Sequence, residues 1–159
     1  MSGFNVIVPA AGVGSRLGGP CPKPLVTLGN KPLIDHVLDA ALRPGDKLWV
    51  VVNPRNRAQV SNWLHETESR RGGAEGKEIQ VVLQSESRGS EDAVRVALES
   101  ILSGDLAWRE APNLVIWADQ VGASAMTISS IRDSVSCQTD SALAVGFRET
   151  FRPYVWLRT

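Results

Sequence analysis

The chain has 159 residues, 43% hydrophobic and 21% charged, which suits one compact globular domain and is too short for two ordinary ones. Lys plus Arg and Asp plus Glu both number 17, and the resulting formal charge of zero argues against the broad basic footprint of a DNA- or RNA-binding protein. A single nucleotide, which needs only a few local cations, stays compatible with it. Cys21 and Cys137 are far apart and belong to no CxxC or Cys/His cluster, so neither a disulfide framework nor a zinc site is expected. The first residues carry no basic region followed by a long apolar run, and the apolar runs elsewhere are strand length. These features predict a soluble, cytoplasmic protein without a signal peptide or membrane span.

In chain order, Phe4–Ala10 is a β-branched apolar run that breaks into a Gly-rich loop, the pattern of a buried parallel strand. Leu33–Leu42 spaces its apolar residues as a helix, with Pro32 suited to the first turn. Lys47–Val52 reads as a second strand and Arg57–Glu68 as a helix. Arg70–Lys77, with three glycines, reads as a solvated loop. Ile79–Leu83 is a third strand, and Ser90–Leu102 a helix that could begin on a Ser cap. Leu114–Trp117 is a fourth strand, Met126–Val135 a helix, Ala142–Gly146 a fifth strand and Tyr154–Leu157 a sixth. There are no internal repeats and no low-complexity tract.

Strands alternating with helices predict an α/β fold, a three-layer, Rossmann-like and mostly parallel sheet with helices on both faces. Right-handed crossovers then put the ligand site outside the carboxyl ends of the strands. The loop after the first strand, Gln84 and Asp119 all fall at those ends.

Three segments carry chemistry. Gly12-x-Gly14-x-Arg16-Leu17-Gly18-Gly19 runs on to Pro22-Lys23-Pro24. Glycines let backbone N–H groups approach phosphate oxygens, Arg16 offers a bidentate grip, and Lys23 adds a point charge held between two prolines. Leu17 stands where a dinucleotide fingerprint needs glycine, and no GK[ST] makes a P-loop. An ordinary Gly-rich turn is the plainer alternative. Next comes Gln84-Ser85-Glu86-Ser87-Arg88-Gly89-Ser90, where an amide can read a base edge and a glycine admits a flat ring; a capped helix start would look similar. Last, Trp117-Ala118-Asp119 ends a strand in a carboxylate suited either to Mg²⁺ beside phosphates or to a helix cap. His36 and His65 have no ligand partner at metal spacing. Ser15 and Ser90 have no recognisable His/Asp partner, which leaves a hydrolase triad unsupported. The five tryptophans are dispersed and read as core or interface residues.

Pro9–Arg16, Lys23-Pro24-Leu25 and Gly29–Ile34 together resemble the signature of the nucleotidylyltransferases, which include sugar-1-phosphate enzymes and their cytidylyltransferase relatives. The resemblance implies a nucleotide-diphospho-sugar transferase-like fold and transfer of NMP from an NTP to a phosphorylated acceptor, most readily a sugar 1-phosphate. It implies that Arg16 and Lys23 stabilise charge as pyrophosphate leaves. Ala10, Ala11 and Gly12 would lie near base and ribose, with Gly14 and Ser15 in the triphosphate loop. Gln84, Gly89 and Ser90 match the family's base-reading segment, and Asp119 its Mg²⁺ ligand, with Ala118 replacing the common glycine.

Arg88-Gly89-Ser90 also echoes the cytidylyl-transferring branch, so a polyol phosphate or phosphonate acceptor stays open, as does a catalytically silent nucleotide-binding or regulatory subunit. Such enzymes carry a second acidic metal ligand farther on. Asp133, Asp140 and Glu149 stand in the wrong context for it, and the chain is therefore expected to be the N-terminal part of a longer nucleotidylyltransferase domain. The expected partners are an NTP and a small phosphorylated acceptor, with no nucleic acid and no membrane. Self-association, or association with a separate acceptor-binding part, stays open.

Overall fold

The computed structural model describes residues 3–12, 21–70, 79–86 and 88–136. The chain enters on strand β1 (Asn5–Pro9), makes a 3-10 turn at Lys23–Leu25, and forms a small antiparallel hairpin, β2 (Thr27–Leu28) with β3 (Lys31–Pro32). Helix α1 (Leu33–Ala41), strand β4 (Lys47–Val52), helix α2 (Arg57–Arg70) and strand β5 (Ile79–Leu83) follow. Helix α3 (Ser90–Ser103), the short α4 (Leu106–Arg109), strand β6 (Asn113–Val115) and helix α5 (Ala125–Ser136) complete the described part.

Among the described residues the main sheet has four parallel strands in the order β5-β4-β1-β6. Every residue of β1 and β4 is buried, as their unbroken apolar runs require of strands covered on both faces. Alternation of side chains divides the core. Val6, Val8, Leu48, Val50, Val52 and Leu114 face α1, α2 and α5, meeting Ile34, Val37, Val60, Leu64 and Ile128. Ile7, Trp49 and Val51 face α3 and meet Ala93, Ala97 and Ile101. The three-layer architecture expected from the sequence is thus present.

Polar contacts fix the amino-terminal end of the sheet. Asn5 is fully buried; its Nδ2 donates to the Trp108 carbonyl at 2.8 Å and its Oδ1 accepts from Trp49 Nε1 at 2.9 Å. Asp46, also buried, accepts from Phe4 N at 2.9 Å, Arg43 N at 2.7 Å, and both terminal nitrogens of Arg132 at 3.1 and 2.6 Å. That ion pair ties α5 to the loop before β4.

Several boundaries differ from the sequence reading. Ser90 is the first helical residue of α3, not its cap: the N-cap is Gly89, at φ 96° and ψ 179°, with no side-chain cap. Only glycine takes that backbone readily, and Glu91 and Asp92 in the first turn complement the helix dipole instead. Pro32 precedes α1 rather than opening it, being paired in the hairpin. The fourth strand of the main sheet begins at Asn113 and ends at Val115, although Ile116 N still donates to the Ile7 carbonyl at 3.0 Å. The hairpin, the 3-10 turn and α4 have no counterpart in the sequence reading. The strands expected at 142–146 and 154–157 lie outside the described residues, as does most of the loop expected at 70–77.

Candidate nucleotide-binding site

The strand order creates the site. From β1 the chain steps outward to β4 and β5, then returns to add β6 on the other side of β1. The loops after β1 and β6 therefore diverge at a topological switch point, where α/β sheets leave a crevice at the carboxyl ends of their strands. A cavity of about 190 Å³ occupies that place.

Its floor is the end of β1 and the segment that follows: Pro9, Ala10, Ala11 and Gly12. The turn after β4 holds this segment in position. Asn53 Nδ2 donates to the Ala11 carbonyl at 2.6 Å, and Asn56 Nδ2 donates to the Ala10 carbonyl at 2.8 Å. The two asparagines also brace each other, since Asn53 N donates to Asn56 Oδ1 at 2.9 Å and Asn56 N to Asn53 Oδ1 at 2.9 Å. Both are more than 90% buried. Asn-Pro-x-Asn after a strand is a turn signal in the sequence, but nothing in it says that the side chains reach back to another loop.

One wall is built by the segment after β5. Gln84 is buried and anchored by its own backbone N–H to the Val52 carbonyl at 2.8 Å. Its Nε2 donates to the Gly89 carbonyl at 3.0 Å and to Asp92 Oδ2 at 2.8 Å. Asp92 in turn accepts from Arg95 Nη2 at 2.7 Å and Nε at 3.1 Å. The Gln84 amide first, then Arg95, holds the Asp92 carboxyl below its usual pKa. Gly89 and Ser90 line the same wall, with Ala93 behind them. A Cβ added at Gly12 or Gly89 would meet no described atom within 4 Å, chain neighbours aside.

The opposite wall brings Lys23 and Asp119 together. Lys23 opens the 3-10 turn, whose Leu25 packs on the core while Pro24 is buried. Pro22, at φ −56° and ψ 137°, restrains the approach. Asp119 stands in the turn after β6, where Gln120 N donates to the Trp117 carbonyl at 3.0 Å. Lys23 Nζ and Asp119 Oδ2 form an ion pair. Asp119 caps no described helix: α5 begins on Ser124, whose Oγ accepts from Thr127 N at 3.1 Å. Trp117 lines the mouth and is 40% exposed, so it belongs to the site rather than to the core; Trp49 and Trp63 are buried as expected.

Of the site residues named from sequence, Ala10, Ala11, Gly12, Lys23, Gln84, Gly89, Ser90 and Asp119 all line this one cavity. Gly14, Ser15 and Arg16 lie outside the described residues. His36 Nε2 lies 3.1 Å from the Leu28 carbonyl, away from the cavity lining. Among the described residues no group of three or more His, Cys, Asp or Glu side chains could hold a metal alone. The single carboxylate of Asp119 fits the alternative, an Mg²⁺ held by one protein carboxylate together with a substrate's phosphate oxygens. No helix among the described residues is long and apolar enough to cross a membrane.

Comparison with known proteins bears on the family and the fold. The chain is 40% identical over 98 residues to the bifunctional protein GlmU of Sorangium cellulosum, covering 62% of this chain and 20% of that one. It is 31% identical over 132 residues to GlmU of Chromohalobacter salexigens, covering 83% and 25% respectively. It thus spans about a quarter or less of the length of these curated relatives. A solved structure, the nucleoside-diphosphate-sugar pyrophosphorylase from Vibrio cholerae RC9, shares the fold with a TM-score of 0.52 at 22% identity, over 72% of this chain and 47% of that one. The model of one domain family, described as the MobA-like NTP transferase domain, matches residues 6–159. By this match over nearly its whole length, the chain belongs to the MobA-like NTP transferase domain family.

Proposed function

We propose that this chain is the nucleotide-binding part of a nucleotidyltransferase that moves NMP from an NTP to a phosphorylated acceptor, most readily a sugar 1-phosphate. The observation that carries this reading is the convergence of Lys23 and Asp119 on one cavity with Ala10–Gly12 and Gln84–Ser90 at the switch point. The likeness to the nucleoside-diphosphate-sugar pyrophosphorylase of Vibrio cholerae supports a sugar-linked acceptor over other phosphates.

The reaction would be an in-line displacement. An acceptor phosphate oxygen bonds to the α-phosphorus, the α–β P–O bond breaks, and pyrophosphate leaves with the electron pair. The attacking oxygen is already anionic, so the protein needs no general base; it positions the reactants and neutralises charge. Lys23, together with Arg16, would stabilise the negative charge on the α-phosphate and the leaving pyrophosphate. Asp119 would hold Mg²⁺ beside the phosphates, an ion that supplies further charge neutralisation when bound. Gln84, Gly12 and Gly89 would receive base and ribose.

The test measures NTP binding in Mg²⁺ by thermal shift and calorimetry, and pyrophosphate release with a sugar 1-phosphate, for wild type, Lys23→Ala and Asp119→Ala. Both substitutions fall on exposed side chains and should leave the fold intact. Turnover should fall by at least about a hundredfold in each, the scale seen when a charge-stabilising group is removed. Near-normal turnover in either variant would refute the assignment.

A further inference from the structure

Gln120 follows Asp119 directly but is not among the residues that line the cavity. Its contacts all serve the turn that carries Asp119. The Ile116 N–H donates to the Ile7 carbonyl, on the β1 side of the strand. Consecutive N–H groups of an extended strand point to opposite edges, so the Trp117 N–H points away from β1. Its acceptor is the Gln120 side chain, with Trp117 N donating to Oε1 at 3.1 Å. The Gln120 backbone answers on the same residue: its N–H donates to the Trp117 carbonyl at 3.0 Å, while its carbonyl accepts from Ala123 N at 3.1 Å.

The turn Trp117–Gln120 is thus closed twice between its first and last residues. The backbone bond alone would make an ordinary β-turn, and the side-chain bond adds a second tie across it. Between the ties lie Ala118, buried, and Asp119, whose carboxylate pairs with Lys23. The Asp119 side chain is 40% exposed, so burial does not hold it; its direction comes from the turn beneath it. A site with one protein carboxylate for a divalent cation depends on that carboxylate being in place before the ion arrives, and groups behind a ligand commonly secure this.

We propose that Gln120 is a positioning residue for the candidate metal ligand. It clamps the Trp117–Gln120 turn so that the Asp119 carboxylate stands ready for a nucleotide-borne Mg²⁺. The inference rests on the nucleotide reading of the cavity and adds to it the residue that sets how much Mg²⁺ strengthens nucleotide binding.

The experiment measures binding of UTP, CTP, ATP and GTP to the whole chain by calorimetry, each in Mg²⁺ and each in EDTA. The quantity read is the gain in affinity that Mg²⁺ confers on the tightest of the four. Gln120→Leu keeps the backbone bond and removes the side-chain acceptor, and should cut that gain by about tenfold, the scale for a group behind a metal ligand. Affinity in EDTA should not change. Gln120→Ala gives the same reading where the leucine variant does not fold. In an Asp119→Ala background, Gln120→Leu should change the gain no further, because it acts through Asp119. An undiminished gain in a folded variant would overturn the proposal. So would an equal loss with and without Mg²⁺, the mark of a merely structural role, or the same tenfold loss where Asp119 is already absent. A wild-type chain that binds nucleotide with no gain from Mg²⁺ overturns the inference while the nucleotide reading stands. Failure of all four nucleotides to bind wild type overturns both.

Discussion

Asn56→Ala tests whether the turn after β4 holds the floor of the site. Asn56 is 4% exposed and makes two buried contacts that alanine cannot replace. Its Nδ2 donates to the Ala10 carbonyl at 2.8 Å, and its Oδ1 accepts from Asn53 N at 2.9 Å. Removal leaves one buried carbonyl and one buried N–H unsatisfied, each costing about 1–3 kcal/mol, so a loss of about 4 kcal/mol is expected. That is a large part of the ~5–15 kcal/mol by which such domains are stable. Urea unfolding monitored through tryptophan fluorescence reads the loss directly as a shift in midpoint at constant slope. Nucleotide affinity, measured under conditions where the variant is still folded, should fall as well, because Ala10 is no longer held. A stability within ~0.5 kcal/mol of wild type would refute the claim that these bonds matter. A destabilised variant with unchanged affinity would refute the claim that they shape the site. Asn53→Ala should behave similarly, but the double variant should cost less than the sum, since the two side chains brace one another.

Two further outcomes are expected. Asp46→Asn leaves the buried Arg132 guanidinium without its counter-charge and should cost about 3–5 kcal/mol in urea unfolding, with nucleotide affinity unaffected because the pair lies at the opposite end of the sheet. Asp92 has its folded pKa below the ordinary value of 3.8, so its stabilising contribution is fully present above about that pH and is lost as pH falls through the lower folded value. The stability difference between wild type and Asp92→Ala, followed by acid titration of the unfolding midpoint, should therefore narrow below pH 3.8 and stay flat above it.

How far the sequence reached depended on whether a feature is local. β1, β4 and β5 were legible because short runs rich in β-branched residues have few other folds available, and α1 because its apolar residues recur at helical spacing. The candidate site was legible where a residue's chemistry and its place at a strand end coincide, as for Gln84 and Asp119, and where a charge stands in a distinctive motif, as Lys23 does between two prolines. Other features depend on pairing across the chain. Asn53 and Asn56 act on carbonyls 42 and 46 residues away. Asp46 finds Arg132 86 residues on. Trp117 resembled any strand tryptophan until the switch point placed it at the mouth of the cavity. Ser90 misled because Ser is a common helix cap, whereas here a positive-φ glycine one residue earlier makes the turn.

The Lys23–Asp119 pair bears on how such a site would choose its ligand. Each side chain is about 40% exposed, and an ion pair that open to water contributes about 0–1 kcal/mol. It is therefore cheap to open and adds little to the fold. Its effect is on binding. An anion alone, arriving at Lys23, would strand the Asp119 carboxylate beside new negative charge. A divalent cation alone, arriving at Asp119, would strand the Lys23 ammonium beside new positive charge. A nucleotide carrying its own Mg²⁺ supplies a partner to both groups at once, so one ion pair is exchanged for two. Cation and triphosphate should then each raise the other's affinity, by the same factor as reciprocity of binding free energies requires. Free phosphate, pyrophosphate without metal and metal without nucleotide would all be disfavoured by the same pair. On this reading the ion pair is the part of the site that distinguishes a metal-bound nucleotide from either of its components.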